Sequence, residues 1–375
     1  MGPEQLRAPG PPRYATRGIS NRRYRRRTRR KGETSFLRLH MPDSQLNGAE
    51  RDLQHSFRFA RVFNGLIMII AVWAAYLPIR SLPDLRAKPD ASVILSVRPV
   101  HLPQQQSPFR LAGAWKLDAS DARFGGLSGL AIDQGRFLSV SDRGSVVRFD
   151  RPDGDSPTVQ LLDLGEGPGP FGERWARDAE SLVRDPQGLG WWVGFEQNHS
   201  LWLYDPEFKR ALSKIDLNRP DWWSNRGAEG LIASAGGLLV VAENGRDAMP
   251  VSGRRPSRTS LEAGADVADA ATAPDGSQWL LLRTKDWRGI TQSIAPLLRT
   301  SAGYRAGSAW VVAKGASDNF EGMAIEAMPG HGLRFWLISD DGHRILARTV
   351  LVALDYSPHW GGKGPATGAG LSSKP

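Results

Sequence analysis

The chain has 375 residues, with 49 Lys+Arg, 39 Asp+Glu and no cysteine. Its net charge of +10 resides in residues 1–61, which hold 15 basic and 5 acidic side chains, while the remainder balances to zero. The split excludes a protein basic throughout that coats nucleic acid, and the missing cysteine excludes disulfides, thiolate zinc sites, iron–sulfur clusters and thiol catalysis.

Residues 1–61 read as a disordered basic cytoplasmic tail, because a stretch such as NRRYRRRTRRK at 21–31 has almost nothing to bury. Residues 62–79, VFNGLIMIIAVWAAYLPI, carry no charge and lie between Arg61 and Arg80. Eighteen residues at ~1.5 Å each span about 27 Å, enough for a single transmembrane helix. The arginine excess ahead of it places the N-terminus in the cytoplasm. Trp73 and Tyr76 fall near the far end, where amphipathic rings favour the interface. The segment is expected to be a signal anchor of a single-pass cell-membrane protein, with everything after residue 80 on the periplasmic or extracytoplasmic side. The alternative is a cleaved signal peptide with its apolar core at 66–75, which would release the same part to the periplasm. Residues 80–107 form a Pro-rich linker, punctuated by Pro83, Pro89, Pro99 and Pro103, with a short candidate strand at 91–97.

From 108 to 356 short β-branched and aromatic runs alternate with Gly/Asp/Asn turns and no long helical period is visible. The runs 137–140, 191–195, 238–241, 279–282 and 335–338 each fit a strand buried on both faces. Each follows a short element in which a small or acidic residue precedes an aliphatic one, with anchors at Ser128, Glu180, Glu229, Asp269 and Glu321. Anchors 40–52 residues apart predict an all-β fold, a β-propeller of five or six blades. A single blade cannot bury both of its faces, so a ring of them is required. A Greek-key sandwich gives no reason for such a repeat. The run 109–117 is expected to complete the last blade, residues 246–264 to be an inserted surface loop, and residues 287–314 to supply the sixth blade if there is one. Residues 357–375 read as a disordered tail.

The E-G-L element, the stretch Asn225-Arg226-Gly227-Ala228-Glu229-Gly230-Leu231, the stretch Asp318-Asn319-Phe320-Glu321-Gly322-Met323-Ala324 and the Ser339-Asp340 pair after the last buried run resemble the phytase-like family. The resemblance covers roughly residues 110–356. It implies an exported β-propeller with hydrolytic, metal-dependent chemistry. The chain departs from the pattern at Ser128, where the acid is missing, and at Asp269, which lacks the following Gly-Leu.

In a propeller, equivalent positions of each repeat meet around one axis. Glu180, Glu229, Asp269 and Glu321 are therefore expected to converge near one end of the channel. Asp142, Glu196, Glu243, Asp286, Asp340 and Asp341 follow second strands in turns on one face, interleaved with bases that include Arg246, Arg283 and Lys285. Glu180, Glu229, Asp269, Glu321 and Asp340 are the expected oxygen ligands. Carboxylates alone, without His or Cys, suit a divalent cation such as Ca²⁺. Arg143, Arg177 and Arg226 are interleaved with the acids and suit bidentate recognition of a phosphate or carboxylate. Glu180, Glu229, Glu321 and His343 are the expected catalytic groups, His343 as general acid to the leaving group. His199 is a second histidine beside an acidic turn, and Trp222-Trp223 a candidate ligand platform. The expected partner is a small phosphoester or related ester, with the membrane reached through residues 62–79 and no nucleic acid. A non-catalytic propeller binding a ligand or protein at the envelope is the alternative. Ser128 lies in no G-x-S-x-G elbow, and the Gly-rich stretch 165–170 holds two prolines, so neither serine-hydrolase nor phosphate-loop chemistry is supported.

Overall fold

In the computed structural model, Ile67 and residues 88–357 are described, apart from 103–107, 171–173, 220–221, 223–225 and single positions at 235, 254, 317, 331 and 345. The expected tail, membrane segment and C-terminal tail fall outside these residues. No described helix is long and apolar enough to cross a membrane.

The described chain is almost entirely strand, arranged as five antiparallel four-stranded units. Unit 1 comprises Leu127–Asp133, Arg136–Ser141, Ser145–Phe149 and Thr158–Asp163. Unit 2 comprises Ala179–Arg184, Trp191–Phe195, Ser200–Tyr204 and Ala211–Asp216. Unit 3 comprises Ala228–Ser234, Gly237–Ala242, Asp247–Ser252 and Thr259–Glu262. Unit 4 comprises Asp266–Thr272, Gln278–Asp286, Gly289–Arg299 and Trp310–Ala316. Unit 5 comprises Asn319–Met328, Gly332–Asp340 and Thr349–Tyr356, and its fourth strand is Phe109–Ala119.

The first strands of successive units are neighbours, and that of unit 5 returns to that of unit 1, so the series closes. This is a propeller-type arrangement, and its core follows from it. There are five buried apolar clusters among the described residues, each lying mainly between two adjacent units. The second strands serve two clusters at once: Phe137 faces the unit 5–unit 1 cluster while Leu138 and Val140 face the unit 1–unit 2 cluster. Burying each such side chain is worth about 1.5–3 kcal/mol, which is why these runs read as continuously apolar.

Two expectations are corrected. Residues 246–264 are not an inserted loop; they carry the third and fourth strands of unit 3. Residues 287–314 are not a sixth unit but the outer part of unit 4, whose second strand runs on to Asp286. The expected linker also contains structure. Ala91–Pro99 pairs with Phe109–Ala119 on one side and Thr158–Asp163 on the other, stapling the outer edges of units 5 and 1. Thr259–Glu262 pairs in parallel with Gly303–Ala306 and does the same for units 3 and 4.

Candidate functional site

Each first strand breaks register with its second strand at one place. The shifts fall between Ser128/Leu130, Ala179/Ser181, Ala228/Gly230, Val267/Asp269 and Phe320/Gly322. The extra residue is Gly129, Glu180, Glu229, Ala268 or Glu321. A bulge bends the strand and re-aims one side chain, so the E-G-L element is a device for presenting a carboxylate. The slot after the bulge is where neighbouring first strands come closest. A Cβ on Gly230 would lie 2.6 Å from the Ala270 Cβ, and one on Gly322 would lie 2.9 Å from the Gly129 carbonyl carbon. In unit 2 that slot holds Ser181, whose hydroxyl donates to the Ala228 carbonyl of the next unit at 2.5 Å.

This register displaces Asp269 from the expected ligand set. Ala268 takes the bulge in unit 4, and Asp269 takes the close-approach slot. Its carboxylate accepts from the Met323 N–H at 2.6 Å and the Ala270 N–H at 2.7 Å, bracketing units 4 and 5. Burial pushes its carboxyl well above the usual range, against the pull of backbone N–H groups of Met323, Ala270 and Leu130.

Five other carboxylates gather at the leading end of the ring, where first strands begin and second strands finish. Asp178, Glu180 and Glu196 can each place an oxygen within 4.8 Å of the others, and so can Glu196, Glu229 and Glu243. The two groups share Glu196 and draw on units 2 and 3. Glu196 and Glu243 occupy equivalent places, one residue beyond their second strands. Their N–H groups donate to the Asp178 and Gly227 carbonyls at 2.9 and 3.1 Å. Asp178, Glu196, Glu229 and Glu243 are buried, and Glu180 keeps part of its surface open. Burial, followed by the neighbouring carboxylates Asp178, Glu229, Glu321 and Glu196, holds Glu180 well above the usual carboxylate range. Glu229 is raised likewise by burial and by Glu196, with Arg283 pulling the other way. Glu196 is pushed up to about 8 by burial, then by Asp178 and Glu243.

Arg283 stands in unit 4 where units 2 and 3 have their second-strand acid. It is 4% exposed. One guanidinium nitrogen donates to Glu243 Oε1 at 2.9 Å; the other donates to Glu321 Oε1 and, at 3.1 Å, to Asn319 Oδ1. Asn319 Nδ2 also donates to Glu321 Oε1 at 2.6 Å. Arg283 therefore joins the five-acid group to unit 5, and the surrounding acids raise its own affinity for its proton against the cost of burial. Arg226, half exposed, borders the group from the other side, 3.6 Å from both Glu243 Oε2 and Asp266 Oδ1.

Asp340 and His343 lie at the seam of units 5 and 1. Asp341 accepts from the Gly126 and His343 N–H groups, both at 2.9 Å, and from the Thr349 hydroxyl at 3.2 Å. The His343 ring is 1% exposed, with Nε2 3.4 Å from Asp142 Oδ1. Asp340 accepts from the Gly342 N–H at 2.5 Å, and burial, followed by Glu321 and Asp142, raises its carboxyl well above the usual range. Gly125 and Gly126 make room here: at φ +58° a Cβ on Gly126 would lie 2.3 Å from Asp142 Oδ1.

Of the expected residues, then, the structure brings together Glu180 and Glu229, reaches Glu321 through Arg283, and keeps Asp269, Asp340 and His343 in other contacts. Among the expected arginines Arg226 borders the acids. Arg177 is buried with its guanidinium on the carbonyls of Leu164, Gly165 and Gly169, at 2.9, 3.5 and 3.4 Å. Arg143 is half-buried in the turn after Ser141, its N–H 3.4 Å from that hydroxyl. Trp222 is buried and donates to Asp247 at 3.3 Å, while Trp223 lies outside the described residues. His199, at φ +41°, packs edge-on against Trp222. Glu196 and Glu243 are acids expected in the turns after second strands, and Arg283 is an expected interleaved base; Asp178, two residues before the bulge at Glu180, is the member of the group that sequence reasoning missed.

Solved structures similar to this chain share little sequence with it. Myxococcus xanthus glutaminyl cyclase is 13% identical, with 66% of this chain and 97% of that one covered and a TM-score of 0.41. Kuenenia stuttgartiensis hydrazine synthase is 14% identical, with 57% of this chain covered and a TM-score of 0.34; this chain spans only 56% of its length. An auxiliary nutrient-binding protein of Bacteroides thetaiotaomicron is 11% identical, with 72% and 77% covered and a TM-score of 0.36. No curated protein matches in sequence. The family described as phytase-like, "esterase-like activity of phytase", matches residues 122–343, from just ahead of the first strand of unit 1 to the His343 turn of unit 5. The chain belongs to the phytase-like family.

Proposed function

We propose that this chain is a membrane-anchored, exported hydrolase of phosphoesters or related esters, built as a five-bladed propeller with a divalent cation at the five-acid group. The observation that carries this is the packing of Asp178, Glu180, Glu196, Glu229 and Glu243, drawn from two adjacent units, into overlapping groups within 4.8 Å. Like charges so placed must either retain protons or share a cation. The donor set fits Ca²⁺: the atoms are all carboxylate oxygens, and the buried Glu243 Oε2 receives no hydrogen bond. A bound cation would polarise an ester oxygen and lower the pKa of water.

The chain's own residues supply the rest. Arg283 is buried and both of its terminal nitrogens are taken up by Glu243, Glu321 and Asn319, so it positions the two acids. Arg226 keeps 39% of its side chain exposed beside Glu243 and is the group placed to receive an anionic ester oxygen. The cation would be held by Glu196, Glu229 and Glu243, which leaves Glu180, partly open and with its carboxyl raised well above the usual range by burial and the neighbouring acids, to give a proton to a leaving group. His343 is enclosed at the seam and keeps Asp142 and Asp341 in register. The membrane segment at 62–79 would hold the domain on the extracytoplasmic side, and cleavage after it would leave the same domain free in the periplasm.

The test is hydrolysis of p-nitrophenyl phosphate and p-nitrophenyl acetate by the full chain after EDTA stripping, with and without Ca²⁺. Turnover restored by Ca²⁺ and lost in Glu229→Gln supports the proposal. Thermal stabilisation by Ca²⁺ without turnover of either ester supports a cation-dependent binding protein instead. Absence of both effects sinks the cation reading.

A further inference from the structure

The turns joining second to third strands all lie at the leading end of the ring, around the five-acid group. In units 1 and 2 they are short. In unit 4 the second strand runs three residues past Arg283, to Asp286, and pairs to its tip with the third strand, Asp286 opposite Gly289. This raised hairpin carries Lys285, Trp287 and Arg288, all exposed, and Trp287 is 88% exposed. The Arg288 guanidinium lies 4.8 Å from the Trp287 ring centroid. The corresponding turn of unit 5 exposes Arg344 and Leu346, the latter at 74%. Two of the three most exposed large apolar side chains among the described residues therefore sit on adjacent turns at one end of the fold.

The turns that carry these two side chains are also basic. Across units 3, 4 and 5 the exposed charged residues of these turns are Arg246, Lys285, Arg288 and Arg344 against Asp286. In the same three units the turns joining first to second strands, at the opposite end, expose Asp275 and no base among the described residues, whereas the third-to-fourth turn of unit 3 at that end exposes Arg255 and Arg258 but no large apolar side chain. The rim is thus basic while the interior it surrounds is acidic. An aromatic ring and an aliphatic side chain set among Lys and Arg match the headgroup layer of a bilayer, where Trp finds both an apolar and a wet neighbour and the bases find anionic phosphates.

The sequence brings such a surface within reach. The described fold starts at Lys88, tied through its N–H to Asp163 of unit 1 at 2.7 Å. Only residues 80–87 separate it from the apolar segment 62–79, a tether of at most about 30 Å at ~3.3–3.6 Å per residue. A domain held that close touches the bilayer with one of its faces.

We propose that this face is the leading end, which docks on an anionic lipid surface through Trp287 and Leu346, flanked by Lys285, Arg288 and Arg344. The proposal rests on the membrane-anchor reading of 62–79 but not on hydrolysis. The five-acid group then opens toward the headgroup layer and away from bulk solvent.

The absence of cysteine makes the test direct. Trp287→Cys, Leu346→Cys and, at the opposite end, Leu189→Cys of the full chain are labelled with an environment-sensitive dye. Each is then reconstituted in phosphatidylethanolamine/phosphatidylglycerol vesicles. Quenching by a headgroup nitroxide lipid should be at least threefold greater at 287 and 346 than at 189, with iodide quenching in the reverse order. The contrast should shrink in neutral phosphatidylcholine. Equal quenching at 287 and 189 on vesicle-bound protein overturns the docking while leaving the anchor intact. An undiminished contrast in phosphatidylcholine overturns the part given to the basic rim. A chain that does not float with vesicles overturns the anchor and the docking together, and an ester-hydrolysis defect bears on neither.

Discussion

Stability of the cation-free protein should fall as pH rises from 5 to 8, opposite to the trend set by ordinary salt-bridged carboxylates. Glu196 supplies the magnitude. Its carboxyl has an ordinary value of 4.5 and titrates at about 8 in the fold. Between those values the folded chain keeps a proton that the unfolded chain has released. The stability this confers is complete below about 4.5 and is lost progressively until the pH passes 8. The whole rise is worth about 5 kcal/mol, at ~1.36 kcal/mol per pH unit. For a domain of this size that is a fall in Tm of about 10–20 °C. Glu180 and Glu229 are raised by the same burial and act with the same sign.

The assay is thermal unfolding of the full chain in EDTA at half-unit steps from pH 5 to pH 8.5, repeated for Glu196→Gln and in saturating Ca²⁺. The wild-type curve should decline and flatten above pH 8. Glu196→Gln should remove about one proton's worth of slope. Ca²⁺ should flatten or invert it, because ligation requires the deprotonated acids. A Tm that is constant or rises from pH 5 to pH 8 in EDTA would refute the reasoning, since it would mean that the five acids do not share protons.

Arg283→Met strands Glu243 and Glu321 without their shared cation and should cost about 3–5 kcal/mol in denaturant melts; adding Glu321→Gln should recover part of that loss, and a loss under ~1 kcal/mol would show that the bridge is not formed. Gly230→Ala should destabilise by about 1–3 kcal/mol, because the new Cβ meets Ala270 at 2.6 Å; Gly236→Ala, in a first-to-second turn with its nearest atom at 3.9 Å, is the control. Leu95→Ala should cost about 2–5 kcal/mol in the same melts although residue 95 precedes the family match, since Leu95 is 2% exposed within the strand that staples units 5 and 1.

What was legible in the sequence follows the physics of burial. The five runs stand out because each second strand feeds two clusters, so they are apolar on both faces except at Ser139, whose buried hydroxyl donates to the Gly129 carbonyl at 2.8 Å. The 40–52-residue spacing and the closing strand Phe109–Ala119 were legible for the same reason. The sequence reads Asp247–Ser252 as loop because its neighbours Gly245, Arg246 and Gly253 look like turn chemistry, whereas the short strand expected at 91–97 is present as Ala91–Pro99. The site was half legible. Glu180, Glu229 and Glu321 announce themselves through E-S-L, E-G-L and E-G-M. In unit 4 the sequence Val267-Ala268-Asp269-Ala270 has no Gly-Leu to fix the frame, and the acid was assigned to a slot one residue early. A one-residue slip in a strand moves a side chain to the other face, so this error exchanged a ligand for a bracket.

That slip also explains why the site is asymmetric. Five equivalent bulges and five second-strand ends offer ten places for an acid around one end of the ring. Filling all of them would crowd like charges beyond what burial allows. The chain instead places Gly129 and Ala268 at two bulges, puts Arg283 in unit 4 at the place of the second-strand acid, and concentrates five carboxylates on units 2 and 3. Arg283 then does two things at once. It closes the acidic arc by neutralising its edge at Glu243, and it ties that edge to Glu321 across the unit 4–unit 5 boundary. A symmetric repeat would have made a scaffold with no preferred side. Departures from the repeat, at residues 129, 268 and 283, set the five-acid group of units 2 and 3 apart from the smaller acidic seam of Asp142, Asp340 and Asp341, and the proposed cation is to be sought in the former, between Glu180 and Arg226.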